Sequence, residues 1–302
     1  MLDDTWTFDG AVWRRQRPSK QPIAQDVAKV AYDESSQTTV FLGAADNRAL
    51  DYAHRFGANP VGADAYATWI WDGAQWTRVY PAHQPHGYVI GMAYDQRSFA
   101  VVAVTHAQSR GFTQGCSDQT WTWNGDDWAE RSLINAPTRA LVTDPTTGRA
   151  LALVDPLGPT GLGPQTTCTV GSAGTRPAEM WRWDDTQWVR VGLAPIIGSN
   201  GWVAADAQRK QLLAYQSPSS GPSPNVGLLG EQLRWNGSVW SDAGSPAMEC
   251  VLELSDASLV DDLKVGGPIL LTNTMAAYRN VVEVQFWDGT HWRLLPTSRL
   301  CN

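Results

Sequence analysis

Four of the five histidines, His54, His83, His86 and His106, lie in irregular segments of the chain, and only His291 falls in a repeated turn. His83 and His86, within residues 81–87, would share a metal ion if the fold brought His54 or His106 to them. Zinc-type ligation needs side chains converging to about 2.0–2.2 Å of the ion, and a two-residue gap in a Pro-rich loop is poor ligand spacing. Hydrogen-bonded loop histidines are the simpler reading, and neither a metal nor another cofactor is expected. The same irregular segments carry Arg48, Arg55, Arg110, Arg139, Arg176 and Arg279, and the acids Asp46, Asp51, Asp64, Asp118, Asp155 and Glu179. Guanidinium groups gathered at one mouth suit a carboxylate, a sulfate or an acidic sugar through bidentate hydrogen bonds, with salt bridges between loops as the plainer alternative. Pairs of these acids would serve glycan cleavage as general acid and base, a mechanism decided by their separation. Of the 16 tryptophans only Trp202 stands outside a repeated pattern, which makes it the aromatic to test for ligand contact, ahead of Tyr52, Phe56 and Tyr278.

The elements that must position these groups are legible as repeats. Six times an aromatic residue is followed by Asp or Asn, usually Gly, and then Trp: Phe8 to Trp13, Trp71 to Trp76, Trp123 to Trp128, Trp183 to Trp188, Trp235 to Trp240 and Trp287 to Trp292. Asp-Gly and Asn-Gly between alternating apolar residues are strong hairpin signals, because both tolerate the positive φ of tight turns. Between these Trp hairpins lies a second unit, an apolar run, an Asp, a polar turn and another apolar run. It reads Val30 to Gly43, Met92 to Val104, Leu141 to Val154 and Val203 to Tyr215, with a diverged copy from Val251 to Asp256 whose return strand is Ile269 to Leu271. Two hairpins in about 50 residues make four antiparallel strands, the content of a propeller blade.

With its Tyr32-Asp33 and Tyr94-Asp95 turns and its Trp-Asp-Gly turns, the chain resembles the kelch-repeat family, in particular its bacterial members, over nearly its whole length. The double glycine that ends the second strand of many kelch blades is reduced here to Gly43. The resemblance implies an all-β, kelch-like β-propeller and leaves activity open, since such propellers include lectin-like binders, interaction scaffolds and a minority of enzymes. Five complete four-stranded blades are expected, at about residues 24–80, 88–132, 137–192, 198–244 and 248–296, in a single domain spanning 1–302. The hairpin at 5–14 is left over and would belong to a sixth blade.

Composition bounds the function. A net charge of -7 offers no basic surface for nucleic acid. No stretch approaches the roughly 20 apolar residues of a membrane-spanning helix, so membrane insertion is not expected. Met1 is followed by Asp3 and Asp4, unlike a leader peptide, so the chain is either cytosolic or a trimmed mature region. The cysteines favour the second. Cys116 and Cys168 precede the Trp hairpins of successive blades, and Cys250 and Cys301 follow Trp240 and Trp292 at similar intervals. Bridges Cys116–Cys168 and Cys250–Cys301 would place the protein outside the cell or at its surface; four buried thiols are the alternative.

In a four-stranded blade the connections from second to third strand, and from fourth strand to the next blade, share one face. These are the long segments here, Gly43 to Tyr66, Thr105 to Gln119, Asp155 to Glu179, Gln216 to Gly230 and Thr272 to Val282, and loops of such length are commonly functional. The expected function is therefore a non-catalytic extracellular binding propeller, monomeric, taking a protein or carbohydrate ligand on its long-loop face. An enzyme acting on a glycan or other polar substrate in the central funnel is the alternative, and a structural module of a longer surface protein is a third.

Overall fold

The computed structural model describes residues 4–9, 12–25, 28–50, 66–106, 118–154, 177–194, 202–215, 232–243, 254–262, 267–276, 279–288 and 292–294. A two-stranded hairpin, β1 (Trp6–Phe8) and β2 (Trp13–Arg15), precedes five antiparallel four-stranded sheets, each formed in chain order. Blade 1 is β3 (Lys29–Asp33), β4 (Thr38–Ala44), β5 (Tyr66–Trp71) and β6 (Trp76–Val79). Blade 2 is β7 (Tyr88–Asp95), β8 (Ala100–His106), β9 (Asp118–Trp123) and β10 (Trp128–Ile134). Blade 3 is β11 (Thr138–Asp144), β12 (Arg149–Val154), β13 (Glu179–Trp183) and β14 (Trp188–Leu193). Blade 4 is β15 (Trp202–Asp206), β16 (Gln211–Tyr215), β17 (Gln232–Trp235) and β18 (Trp240–Asp242). Blade 5 is β19 (Leu254–Asp262), β20 (Gly267–Ala276), β21 (Arg279–Trp287) and β22 (Trp292–Leu294). The first strands meet in series, β3 against β7, β7 against β11, β11 against β15 and β15 against β19, which is the arrangement of blades around an axis. They approach closely enough that a Cβ on Gly91 would lie 2.7 Å from the Cβ of Leu141.

The hairpins of blades 1–4 close on a carboxylate or an amide. At the inner turns Asp33, Asp95, Asp144 and Asp206 are buried, and their Oδ1 atoms accept the turn N–H groups of Ser35, Ser98, Thr146 and Arg209. At the outer turns Asp72, Asn124, Asp184 and Asn236 each accept two backbone N–H groups, from the residues two and three positions on. The following residue takes a left-handed φ of 99° at Gly73, 103° at Gly125 and 97° at Gly237. Blade 3 has Asp185 there, at φ 85°.

The Trp hairpins fill the seams between blades. Trp71 and Trp76, Trp123 and Trp128, and Trp183 and Trp188 pack as tilted ring pairs with centroids 5.3–5.4 Å apart. The second indole of the pair then reaches back to the preceding sheet. Trp128 Nε1 donates to Thr68 Oγ1 (3.0 Å), Trp188 Nε1 to Thr120 Oγ1 (2.8 Å) and Trp76 Nε1 to Thr5 Oγ1 (2.9 Å). The N-terminal hairpin thus stands to blade 1 as β5 and β6 stand to blade 2. Trp240 Nε1 is buried without an acceptor, because the Thr position of blade 3 is occupied by Met180.

Blade 5 departs from the repeat reading. Its first strand runs to Asp262, beyond the Val251 to Asp256 stretch expected to carry it. Asp262 pairs with Gly267, five positions on, as Asp33, Asp95, Asp144 and Asp206 do with their partners, so Asp262 takes the apolar–Asp position of this copy in place of Asp256. The segment 272–282 is strand on both sides of residues 277–278 and is not a long loop, since Ala276 pairs with Arg279.

Candidate functional site at the long-loop end of blade 2

His106 ends β8 and Asp118 begins β9, so the sheet register sets them directly opposite each other. His106 Nδ1 lies 2.7 Å from Asp118 Oδ1, and the other carboxylate oxygen accepts the Thr138 N–H of blade 3 at 2.5 Å. Asp118 is fully buried, whereas the His106 side chain keeps 32% of its surface in solvent. A carboxylate facing Nδ1 fixes the tautomer: Nδ1 carries the hydrogen, and Nε2 offers its lone pair outward. Hydrogen bonding to Asp118 raises the His106 pKa above its ordinary value, against the opposing effect of partial burial. The group can take a proton at Nε2, hold it as an imidazolium stabilised by Asp118, and return it.

Among the described residues the pair occurs in this blade alone. The equivalent positions in blade 1 are Ala44 and Tyr66. Near the pair, Tyr88 pairs with His106 across β7 and β8. Arg139 follows Thr138 at a register shift in β11, half-buried and already engaged in an interaction of its own.

The other expected site residues scatter. The backbone N–H of His83 and its Nδ1 bind the two carboxylate oxygens of Asp127 at 2.9 and 2.7 Å, and this holds the Asp127 carboxyl below its usual range. Asp127 sits in the turn at the far end of β9 from Asp118, a strand length of roughly 16 Å at 3.3 Å per residue. His83 and His106 are therefore held at opposite ends of the blade. His86 is exposed and edge-on to Trp121, with centroids 5.2 Å apart. Among the described residues no three His, Cys, Asp or Glu side chains converge as metal ligands. Trp202 opens β15, and Arg279 opens β21 instead of standing in a long loop. Arg48 lies in a helical turn over 47–50, where Asp46 accepts its backbone N–H. His54, Arg55, Arg110 and Arg176, together with Cys116, Cys168, Cys250 and Cys301, lie outside the described residues. The tryptophans of blades 2 and 3 in the Trp-hairpin pairs are buried, as core packing requires, while Trp6 and Trp13 of the N-terminal hairpin are exposed. Sequence reading named His106 and Asp118 separately; it missed Thr138, whose role is played by a backbone N–H and leaves no mark in the side-chain letter.

No family model and no curated protein sequence matches the chain. Solved structures do, and they are β-propellers. The structure of YjhT aligns with a TM-score of 0.52 at 12% identity, over 91% of this chain and 85% of that one. The GH43 β-1,3-galactosidase BT0265 aligns with a TM-score of 0.51 at 10% identity, over 96% of this chain and 62% of that one. A second GH43 β-1,3-galactosidase, BT3683 with galactodeoxynojirimycin, gives 0.50 at 8% identity, over 94% and 98%. At these identities the likeness is one of fold, and by it the chain is a β-propeller.

Proposed function

We propose that the chain is a propeller enzyme that acts by acid–base chemistry on a glycan or other polar carbohydrate at the long-loop end of blades 2 and 3. The observation that carries this reading is His106, a one-third exposed imidazole oriented by a fully buried carboxylate, a pairing found once among the described residues. His106 takes a proton from a substrate hydroxyl, from an activated C–H or from water through Nε2, and gives it back to a departing oxygen. Asp118 stays ionised, orients the ring and offsets the imidazolium charge. Two of the structural neighbours are β-1,3-galactosidases, which lends the carbohydrate class support.

The rest of the assignment accords with this. The Tyr-Asp and Trp-Asp-Gly turns favour a kelch-like propeller, one domain over 1–302, with the hairpin at 5–14 as the outer half of a sixth blade. An extracellular or cell-surface setting, the two cysteine bridges and a monomeric state complete the reading.

The test is a panel of neutral and uronate-containing glycans, followed by reducing-end release and by absorbance of unsaturated products. Turnover should fall about 10²- to 10⁴-fold in His106→Gln, the usual share of a general acid–base group, with little change in thermal unfolding. Equal turnover in wild type and His106→Gln would remove His106 from the chemistry. Saturable glycan binding without any turnover would instead restore the non-catalytic binding propeller.

A further inference from the structure

On the tight-turn side of the propeller, away from His106, a pocket of about 450 Å³ opens at the turns of blades 2 and 3. It is lined by Arg97, Thr147, Arg149, Arg182, Trp183 and Asp184. The three arginines are departures from the repeat. The equivalents of Arg149 are Thr38, Ala100 and Gln211, and those of Arg97 are Ser35, Thr146 and Gln208; only Arg182 has a counterpart, Arg234, against Ile70 and Thr122. The three meet only here.

Their charges are not equivalent. Arg149 is nine-tenths buried and held from two sides, Nε by Asp95 Oδ2 at 2.9 Å and Nη2 by Asp185 Oδ1 at 2.8 Å. Asp185 makes this contact from the left-handed backbone position that glycine fills in three other blades, a conformation costing an ordinary residue roughly 1–2 kcal/mol. Asp184 is committed to its own turn, where Thr186 and Gln187 N–H groups and the Thr186 hydroxyl bind Oδ1. These bonds hold its carboxyl at about 2. Asp95 and Asp185 set two carboxylates against the single charge of Arg149, which leaves Arg97 and Arg182 as the cations facing the pocket. The guanidinium groups of Arg97 and Arg182 make no ion pair or hydrogen bond among the described residues. Trp183, lining the same pocket, is buried with an indole N–H that has no acceptor.

We propose that this pocket binds a tetrahedral oxyanion, phosphate or sulfate, carried on a small polar molecule. Arg97 and Arg182 grip it as forks and Arg149 stands fixed behind them, while the Trp183 indole, closed off from solvent against the pocket, senses its occupancy through the ring. Guanidinium donors arriving from an inner turn and two strands suit a tetrahedral ion, whereas a planar carboxylate is satisfied by one guanidinium fork. The volume exceeds that of the ion, which leaves room for a sugar-sized carrier. This inference is independent of the reading of His106, which lies at the other end of the blades.

The experiment titrates the full chain with inorganic phosphate, inorganic sulfate, a hexose monophosphate and a hexose monosulfate, with acetate as the planar control. Calorimetry is paired with the ¹⁵N–¹H resonances of the indoles, Trp183 being assigned by its loss in Trp183→Phe. The expected result is saturable binding by the tetrahedral ions and a shift of the Trp183 resonance. Affinity should weaken about tenfold or more in Arg97→Ala and in Arg182→Ala, the loss expected for one charge-assisted hydrogen bond, and vanish in the double variant with the unfolding temperature unchanged. Tighter binding of the hexose esters than of the bare ions would place the carrier in the pocket, whereas the reverse order would leave a simple oxyanion site. An unmoved Trp183 resonance with all four probes, unaltered binding by the double variant, or acetate binding as tightly as phosphate would overturn the proposal. His106→Gln should leave every one of these titrations as in wild type.

Discussion

His106 links the site to folding stability. Its pKa is raised in the folded chain by Asp118, so the protonated ring is held more favourably in the native than in the unfolded state. A raised pKa contributes stability that is fully present below the unfolded value, about 6.5, and is lost as pH rises through the folded value. The difference in unfolding free energy between wild type and His106→Gln should therefore be largest near about pH 6 and shrink toward about pH 9. A difference independent of pH would mean that Asp118 serves only Thr138. The histidine was legible because it falls with His54, His83 and His86 outside the repeated turns. Its partnership with Asp118 was not: twelve residues separate them in sequence, and only the pairing of β8 with β9 closes the gap. Arg97, Arg149 and Arg182 escaped notice for a related reason. They sit beside turns whose letters read as ordinary hairpin chemistry, and only the fold brings them to one pocket.

Strands and hairpins were the most legible level, since the Asp-Gly and Asn-Gly turns are local. What the letters did not state is how one hairpin locks onto the next. Thr5, Thr68 and Thr120 each precede a Trp, which looks like ordinary strand alternation until the indole of the following blade is seen on each hydroxyl. Thr68→Val and Thr120→Val keep the shape and leave a buried N–H without an acceptor. Each should cost about 1–3 kcal/mol in chemical denaturation, while Thr5→Val, at a less buried contact, should cost less. Blade 4 already carries this defect at Trp240 opposite Met180, so replacing Trp240 by Phe should cost less than replacing Trp188 by Phe. Blade 5 was misread for a local reason too. Two Asp-bearing stretches stand in the sequence there, and only the strand pairing, which sets Asp262 opposite Gly267, shows that the later one holds the inner-turn position.

At the scale of the molecule the blades form a one-dimensional series in which each sheet answers chiefly to its neighbours, and the N-terminal hairpin is the neighbour of blade 1. Tyr32 and Val30 on β3 are 46% and 56% exposed, where their counterparts Tyr94 and Met92 on β7 are 5% and 7% exposed. Blade 1 is thus covered on its outer strands by the hairpin and left open along its first strand. The cover rests on Trp76 bonded to Thr5 and on Gln75 Oε1, which accepts the backbone N–H of Ser19 at 2.8 Å. Removing residues 4–16 would take away Thr5, expose Trp76 and leave its N–H to water, yet it would touch no contact of blades 2 and 3. Hydrogen exchange should then show amide protection lost in β5 and β6 and retained in β7 to β12, because local opening follows local contact. Uniform loss of protection through blade 3 would instead show that the series folds as one unit, and unchanged protection in β5 and β6 would show that the hairpin does not brace blade 1.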